Sequence, residues 1–226
     1  MDLNVQDVVG IKTRDIESSG KIYRIFKRAI DIIGALFGCM LLLPLTIGIW
    51  LANIFVKDNG PVFYVQKRIG KNGKVFTMYK FRSMVVNADK KLKGYLLDNP
   101  EANKEFKKYR KLKDDPRITK VGNFLRKTSL DEFPQFINIL KGDMSLVGPR
   151  PYLPRERRVM KKHYKEIIKT KPGLTGPWQV NGRSEVSLED RLLMDVAYVQ
   201  NENLVNDAKY VLKTIKNILK DNKGAM

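Results

Sequence analysis

Cysteine and histidine are nearly absent from this sequence. Among its 226 residues there is one cysteine, Cys39, and one histidine, His163. An intrachain disulfide is therefore excluded, and neither a thiolate metal site nor a catalytic triad based on histidine fits. The sequence contains no internal repeat. No small-residue cleavage site follows its long apolar run, so a secretory signal peptide also fits poorly.

Acidic residues are scarce relative to basic ones. The chain has 43 lysines and arginines against 24 aspartates and glutamates, and its formal net charge is +19. Such an excess points to anionic partners, which include acidic lipids, nucleic acids and phosphorylated small molecules. Charge alone does not choose among them. A membrane-associated scaffold that binds acidic lipids and a membrane-tethered nucleic-acid-binding protein are both compatible with it.

One uncharged run is long enough to enter a membrane. It extends over the 21 residues from Ile32 to Ala52, which meets the length expected of a membrane span. Pro44 lies near its middle, lacks a backbone N–H and disfavours a continuous helix. The arms on either side would be roughly 21 Å and roughly 18 Å long at 1.5 Å per residue, and each is shorter than the ~30 Å hydrocarbon core.

Basic residues flank this run on both sides, and we use them to predict its topology. Lys27 and Arg28 are among those that precede the run, and Lys57 is the first that follows. The positive-inside rule places both flanks in the cytoplasm. We therefore predict a re-entrant helix-break-helix anchor, with a kinked spanning helix as the alternative. Asp31 begins the apolar arm, and we expect it to form an anchoring pair with Arg28 or Lys27 near the lipid headgroups.

The rest of the chain predicts a mixed fold. The segment "GPVFYVQKRIGKNGKVFTMYKFRSM" indicates two short strands around the turn at residues 70–73. Residues 88–113 form a charged helical stretch that is interrupted at Asn99-Pro100, and a basic helix is predicted around residues 155–169. Apolar residues at helical spacing predict a last helix over 204–219, which packs on the core or lies at the membrane interface.

Adjacent carboxylates at Asp131 and Glu132 are the strongest candidates for chemistry. They follow Thr128 and Ser129, at or near a helix N-terminus. A structural alternative is a capping box, in which Glu132 hydrogen-bonds back to the Ser129 amide. In the functional interpretation the helix dipole keeps Asp131 ionised, Asp131 attacks phosphorus, and Glu132 holds Mg²⁺.

Three arginines are candidates for binding substrate phosphates. Arg126 comes five residues before Asp131, Arg150 lies between two prolines in "GPRP", and Arg183 lies in the turn "NGRS". Arginine suits this role because its guanidinium group binds phosphate oxygens through two parallel hydrogen bonds. With 43 basic residues in the chain, a surface location is the alternative for each one.

At these segments the sequence resembles the bacterial sugar transferase family, the monotopic phosphoglycosyl transferases. The matching stretches occur in the family's order over residues 22–220 and include "DDPRITKVGNFLRKTSLDEFPQFINILKGDMSLVGPRP" and "KPGLTGPWQVNGRS". The resemblance implies that Asp131 is the nucleophile of a covalent phosphosugar intermediate and that Glu132, with Asp131, is associated with Mg²⁺.

The resemblance also assigns roles to other positions. Arg126, Arg150 and Arg183 match family positions near the substrate phosphates. Lys80 and Arg82 match a further basic motif and are also expected to bind substrate phosphate. Asp195 matches an acidic position, which we expect to be structural or to support a residue of the site. Three residues are assigned to the membrane anchor: Arg28, Asp31 and Pro44.

Together these features predict an α+β, mainly helical protein. We expect a flexible tail over residues 1–20, a re-entrant membrane helix over 21–57 and a cytosolic catalytic domain over 58–226 with a β-hairpin and amphipathic interfacial helices. The resemblance implies transfer of a hexose-1-phosphate, galactose or glucose, from a UDP-sugar to undecaprenyl phosphate at the cytoplasmic face of the bacterial inner membrane. Membrane lipids are further expected partners, nucleic acid is not, and a homodimer is one compatible oligomeric state.

Overall fold

The computed structural model of the protein describes residues 20–109, 112–181 and 187–220. Helices predominate, and the strands form two small two-stranded sheets, which confirms the mainly helical α+β class. The predicted tail over residues 1–20 lies almost entirely outside these ranges. The helices are α1 (Lys21–Phe55), α2 (Ala88–Asp98), α3 (Pro100–Tyr109), α4 (Lys120–Lys127), α5 (Gln135–Lys141), α6 (Arg157–Met160), α7 (Tyr164–Ile167), α8 (Pro177–Asn181), α9 (Leu188–Gln200) and α10 (Leu204–Lys220). The strands are β1 (Phe63–Ile69), β2 (Val75–Phe81), β3 (Ser145–Val147) and β4 (Gly173–Thr175).

Helix α1 presents one face to the rest of the protein along most of its length. The residues on this face recur every three or four positions, as helical geometry requires. They are Asp31, Ala35, Gly38, Leu42, Leu45, Ile49 and Asn53. The other faces carry large exposed apolar side chains, among them Phe37, Met40, Leu43 and Phe55. Within the described ranges, α1 is the one helix long and apolar enough to cross a membrane.

The interruption predicted at Pro44 is not present, because α1 runs through this residue as one helix. The Thr46 hydroxyl donates a hydrogen bond of 2.7 Å to the Leu42 carbonyl oxygen, across the proline. Contacts on both sides of Pro44 hold the helix in place. Ala35 packs against the core on one side, and Ile49 packs on the other. Tertiary packing therefore overrides the local preference of proline to end a helix.

The anchoring pair predicted for Asp31 is also wrong. Asp31 is buried and accepts hydrogen bonds from the Ser145 hydroxyl at 2.9 Å and the Leu146 amide at 2.8 Å. Arg28 instead donates to the carbonyl oxygens of Ile139 and Leu140, at 2.7 and 2.8 Å. Asp31 and Arg28 therefore connect α1 to the rest of the protein, because both lie on or beside the packed face of α1.

The predicted β-hairpin is confirmed. Strands β1 and β2 are antiparallel, and their register runs from the Phe63–Phe81 pair to the Ile69–Val75 pair. Asn72 in the connecting turn has φ 57°, a left-handed conformation that asparagine tolerates better than most residues. The hairpin packs its Phe76 and Met78 side chains against α1 and α5 in one buried cluster.

The second sheet was not predicted. Strand β3 pairs with β4 in parallel, with Ser145 opposite Gly173 and Val147 opposite Thr175. Each strand has three residues, which is too short for an alternating pattern to be recognised. The predicted interruption at Asn99 separates α2 from α3, and α10 covers the predicted last helix. The basic helix predicted around 155–169 is divided into short helical turns.

Candidate active site

Asp131 and Glu132 lie in a tight turn between α4 and α5. Residues Leu130–Glu132 form a single 3₁₀ turn, and Ser129 before it is left-handed with φ 57°. The Ser129 side chain makes no capping hydrogen bond, and the Glu132 carboxylate pairs with Lys80 instead. The capping box is therefore not formed, and the two carboxylates remain available for another role.

Glu132 forms an ion pair with Lys80 near the end of β2. The Lys80 Nζ atom lies 2.9 Å from Glu132 Oε1. The Glu132 side chain is 40% exposed and the Lys80 side chain 23% exposed, so solvent or a substrate can reach this pair. The bond engages one of the two carboxylate oxygens.

The Asp131 carboxyl has a pKa raised to about 6. Burial is the main cause, because it disfavours the charged form. The positive charge of Lys80 opposes the shift, Glu132 adds to it, and Arg126 opposes it more weakly. Asp131 is thus mostly ionised at neutral pH. We predicted that a helix N-terminus keeps it ionised, but two neighbouring cations provide much of this stabilisation.

Arg126 lies in the last turn of α4 and is close enough to Asp131 for their charges to interact. Its Nε atom donates a hydrogen bond of 2.9 Å to the Ser83 hydroxyl. Burial lowers the pKa of its guanidinium group, and Asp131 opposes that shift. Among the residues that the structure describes, no carboxylate lies within ion-pairing distance of Arg126, so its charge is available to an anionic ligand.

Arg150 and Asp195 belong to a second charged region. Asp195 in α9 is fully buried and accepts hydrogen bonds from the Tyr152 hydroxyl at 2.8 Å and the Arg150 amide at 3.3 Å. Burial raises its carboxyl pKa to about 7. The Arg150 guanidinium lies over the Trp178 ring at 5.1 Å. Asp195 therefore supports the loop that carries Arg150.

Arg82 makes contacts that favour a structural role over phosphate binding. Its guanidinium bonds to both carboxylate oxygens of Asp58, at 2.9 and 3.0 Å, and to the carbonyl oxygens of Pro61 and Met84. These bonds connect the hairpin to the segment directly after α1. Arg183, the third predicted phosphate-binding arginine, lies outside the described residues.

Arg68 is a residue of this region that the sequence did not single out. It is 8% exposed and donates to the Pro151 carbonyl oxygen at 2.9 Å and to Gln66 Oε1 at 2.5 Å. Burial and the nearby charge of Arg150 lower its pKa to about 10. Local sequence gives no signal for Arg68, because only its contact with the loop at Pro151 in the folded protein distinguishes it from the other arginines.

The carboxylates of the turn fit a magnesium ion that also binds a substrate. The described ranges contain no group of three or more histidines, cysteines, aspartates or glutamates that could hold a metal. Mg²⁺ is commonly bound by one or two carboxylates together with substrate phosphates. Asp131 and Glu132, adjacent and partly exposed, match that smaller ligand set.

The part of the chain that contains the apolar helix, the hairpin and the carboxylate turn matches a known family in sequence. Residues 22–221 match the sequence model of the family described as bacterial sugar transferase, and the chain belongs to this family. A relative from Salmonella typhimurium, undecaprenyl-phosphate galactose phosphotransferase, is 46% identical over 87% of this chain and 41% of its own length. A relative from Sinorhizobium fredii, exopolysaccharide production protein ExoY, is 43% identical over 84% of both chains.

A third relative bears a different sugar in its name. UDP-glucose:undecaprenyl-phosphate glucose-1-phosphate transferase of Escherichia coli is 38% identical over 86% of this chain and 40% of its own length. The chain thus spans about two fifths of the Salmonella and E. coli relatives and most of ExoY. Family membership and the exposed apolar surface of α1 together indicate association with a membrane.

Proposed function

We propose that this protein transfers a hexose-1-phosphate, galactose or glucose, from a UDP-sugar to undecaprenyl phosphate. The transfer starts the synthesis of a capsule, O-antigen or exopolysaccharide repeat and releases UMP. The family and the names of the Salmonella and E. coli relatives support this proposal. The observation that carries it is the half-buried Asp131 carboxylate, which lies within electrostatic range of Lys80 and Arg126.

The reaction has two displacement steps at one phosphorus atom. An Asp131 oxygen attacks the β-phosphorus of the UDP-sugar, the bond from that phosphorus to the bridging oxygen breaks, and UMP leaves with the oxygen. A phosphate oxygen of undecaprenyl phosphate then attacks the same phosphorus, and the bond to Asp131 breaks. Splitting the transfer this way lets one site serve a water-soluble and a lipid substrate in turn.

Cationic side chains stabilise the phosphate charge during both steps. Arg126 is one candidate, because its charge interacts with Asp131 and guanidinium groups bind phosphate oxygens well. Lys80 holds Glu132 beside the nucleophile. Asp131 and Glu132 would hold Mg²⁺, which when bound neutralises part of the charge on the diphosphate.

We also propose that α1, as one uninterrupted helix, is only partly embedded in the membrane and keeps both of its ends on the cytoplasmic side. Lys27, near its beginning, pairs with Asp207 of α10, and Asp58, just after its end, pairs with Arg82 of the hairpin. A straight helix that crossed the bilayer would place one of these contacts on the far side. The basic residues before and after α1 support the same orientation.

Labelling of single cysteines tests this topology. Lys21→Cys and Lys57→Cys are each made in a Cys39→Ser background and treated with a membrane-impermeant maleimide. Both positions should be protected in intact cells and labelled in inverted vesicles. Labelling of one position from each side would show that α1 spans the membrane and would overturn the proposed topology.

Product analysis tests the proposed reaction. Detergent-solubilised protein is incubated with a panel of UDP-sugars, undecaprenyl phosphate and Mg²⁺, and the nucleotide products are separated. We expect UMP, and with UDP-sugar alone we expect the intact mass of the protein to increase by one phosphosugar. Asp131→Asn should abolish both.

Other products would point to other functions. UDP instead of UMP would indicate a single-displacement glycosyl transferase. Absence of both nucleotides with every donor, together with binding to acidic vesicles, would favour the non-enzymatic scaffold. UMP release that persists in Asp131→Asn without an adduct would show that Asp131 is not the nucleophile.

A further inference from the structure

Ser83 lies beside the proposed site. It is not one of the residues considered above as binding the substrate or a metal ion. It lies two residues after the end of β2 and is 8% exposed. Its hydroxyl oxygen accepts the hydrogen bond from Arg126 Nε at 2.9 Å. The two residues are 43 positions apart in sequence, so the fold alone brings them together.

The backbone around Ser83 is fixed by its contacts with α4. The Ser83 carbonyl oxygen accepts a hydrogen bond from the Thr119 amide at 3.2 Å. Gly122 lies so close that a Cβ atom there would be 2.0 Å from the same oxygen. The Thr119 hydroxyl caps α4 by accepting a bond from the Gly122 amide at 2.9 Å. The start of α4 is therefore held against Ser83, and the end of this short helix carries Arg126.

The hydrogen bond to Ser83 uses one particular part of the Arg126 side chain. It engages Nε, and in the part of the chain that the structure describes the terminal Nη1 and Nη2 atoms have no hydrogen-bonding partner. A guanidinium group is planar and rigid, so fixing Nε also restricts the direction of the two terminal nitrogens. Those nitrogens form the pair that binds two phosphate oxygens at once.

We infer that Ser83 is a positioning residue for phosphate recognition, which holds Arg126 so that its terminal N–H groups bind the donor diphosphate beside Asp131. This inference rests on the proposed function. It adds a residue that contacts no substrate and acts through Arg126. The hydroxyl is needed as an acceptor, whereas the charge and the phosphate contact belong to the arginine.

Variants of Ser83 test the inference in the full-length, detergent-solubilised protein. Ser83→Ala removes the acceptor, and kcat/KM for UMP release should fall about tenfold or more, as expected when a charged group loses a buried hydrogen bond. Ser83→Thr keeps the hydroxyl and should restore kcat/KM to within about threefold of wild type. If Ser83→Ala does not fold, Ser83→Cys takes its place in the assay, because cysteine has a similar size and is a weaker hydrogen-bond acceptor. The same fall in kcat/KM is then expected for Ser83→Cys.

Ser145→Ala is the matched control. Ser145 is also buried, and its hydroxyl also makes a single side-chain hydrogen bond, to Asp31 at 2.9 Å. This bond connects α1 to β3 and has no contact with Arg126. Loss of the control hydroxyl should lower the melting temperature without the fall in kcat/KM seen for Ser83→Ala.

A double-mutant cycle with Arg126→Lys separates positioning from general structural damage. Lysine keeps the positive charge but has no Nε–H for Ser83 to fix. In the Arg126→Lys background, Ser83→Ala should therefore lower kcat/KM less than about twofold. An equal fall in both backgrounds would overturn the inference, as would wild-type kcat/KM in a folded Ser83→Ala variant.

The wild-type protein in the same assay distinguishes this inference from the proposed function. If wild type releases UMP and the Ser83 variants show no coupling to Arg126, the inference is wrong and the proposed function stands. If wild type releases no UMP with any donor, the proposed function fails first. Ser83→Ala would then be compared with wild type by UDP-sugar binding, and equal binding would overturn the inference as well.

Discussion

Asp131 and Asp195 are both aspartates whose pKa is raised by burial, and their surroundings differ. Asp131 lies in a partly exposed turn, and the charges of Lys80 and Arg126 counteract the effect of its burial. Asp195 is fully buried, and its carboxylate accepts bonds from the neutral Tyr152 hydroxyl and a backbone amide. The first aspartate can be reached by a substrate, and the second cannot.

The difference shows that a raised pKa does not by itself identify a nucleophile. Of the two, Asp195 has the higher pKa, about 7 against about 6, yet its contacts are those of a structural support. Access and neighbouring cations separate the two roles, because an attacking carboxylate must meet phosphorus and the phosphate charge must be neutralised. Substitutions at each aspartate should therefore produce opposite patterns of lost activity and lost stability.

The largest expected effect is on the activity of Asp131→Asn. We expect UMP release to fall on the order of a thousandfold or more, because amide nitrogen and oxygen do not replace a carboxylate nucleophile. The melting temperature should not fall, since burial already disfavours the charged form of this residue. Initial rates and thermal melts of the same preparation check both expectations. A large loss of stability would remove the contrast with Asp195.

Asp195→Ala should reverse this pattern. Its removal leaves the Tyr152 hydroxyl and the Arg150 amide without an acceptor in a buried place. The free energy of unfolding should decrease by about 3 kcal/mol, since each unsatisfied buried donor costs about 1–3 kcal/mol. Denaturant or thermal unfolding measures it. Unchanged stability together with complete loss of UMP release would mean that Asp195 acts in the chemistry itself.

The pH dependence of stability provides a third comparison. Because the folded-state pKa of Asp195 is about 7, above its usual value of 3.8, the folded protein binds more protons than the unfolded chain between these values. The contribution of Asp195 to stability is therefore full below pH 4 and is lost as the pH rises to about 7, at up to about 1.4 kcal/mol per pH unit.

Asp195→Asn should lack this dependence. Its melting temperature relative to wild type should rise between pH 5 and pH 8, because the variant has no carboxyl group to ionise. Melts of both proteins in matched buffers measure the difference. A difference that stays constant over this range would show that the Asp195 carboxyl does not titrate there.

Modest effects are expected for Lys80→Ala. The Lys80–Glu132 pair is partly exposed, and such pairs contribute about 1 kcal/mol or less. We expect UMP release to fall about tenfold, as for loss of a charged contact beside the nucleophile. Lys104→Ala is the control, because Lys104 pairs with Glu101 at the same 2.9 Å on an exposed surface of α3. Equal activity of the two variants would remove Lys80 from the site.

Local signals in the sequence were sufficient for much of this arrangement. The turn at residues 70–73 predicted the hairpin, and helical spacing of apolar residues predicted α10. The adjacent carboxylates at Asp131 and Glu132 are likewise a local feature of the sequence. In each case the information lies within a few neighbouring residues, and so a pattern of spacing or turn chemistry is enough.

Contacts between distant segments were beyond such signals. The Ser83–Arg126 bond joins residues 43 positions apart, and the Arg68–Pro151 bond joins residues 83 positions apart. Nothing in the local composition distinguishes Ser83 from the other serines, or Arg126 and Arg68 from the other arginines. Pro44 shows the opposite case, in which a strong local preference is overridden because the residues on both sides of it are packed against the domain.

The packed face of α1 also has a practical consequence for work with this protein. Ala35 and Ile49 are integrated into the same buried clusters as Ile139, Phe81 and Leu125. A truncated chain that starts after α1 would uncover those side chains and expose new apolar surface to water. Removal of the hydrophobic helix is therefore expected to produce an aggregating fragment, and detergent or lipid nanodiscs are the appropriate environment for purification.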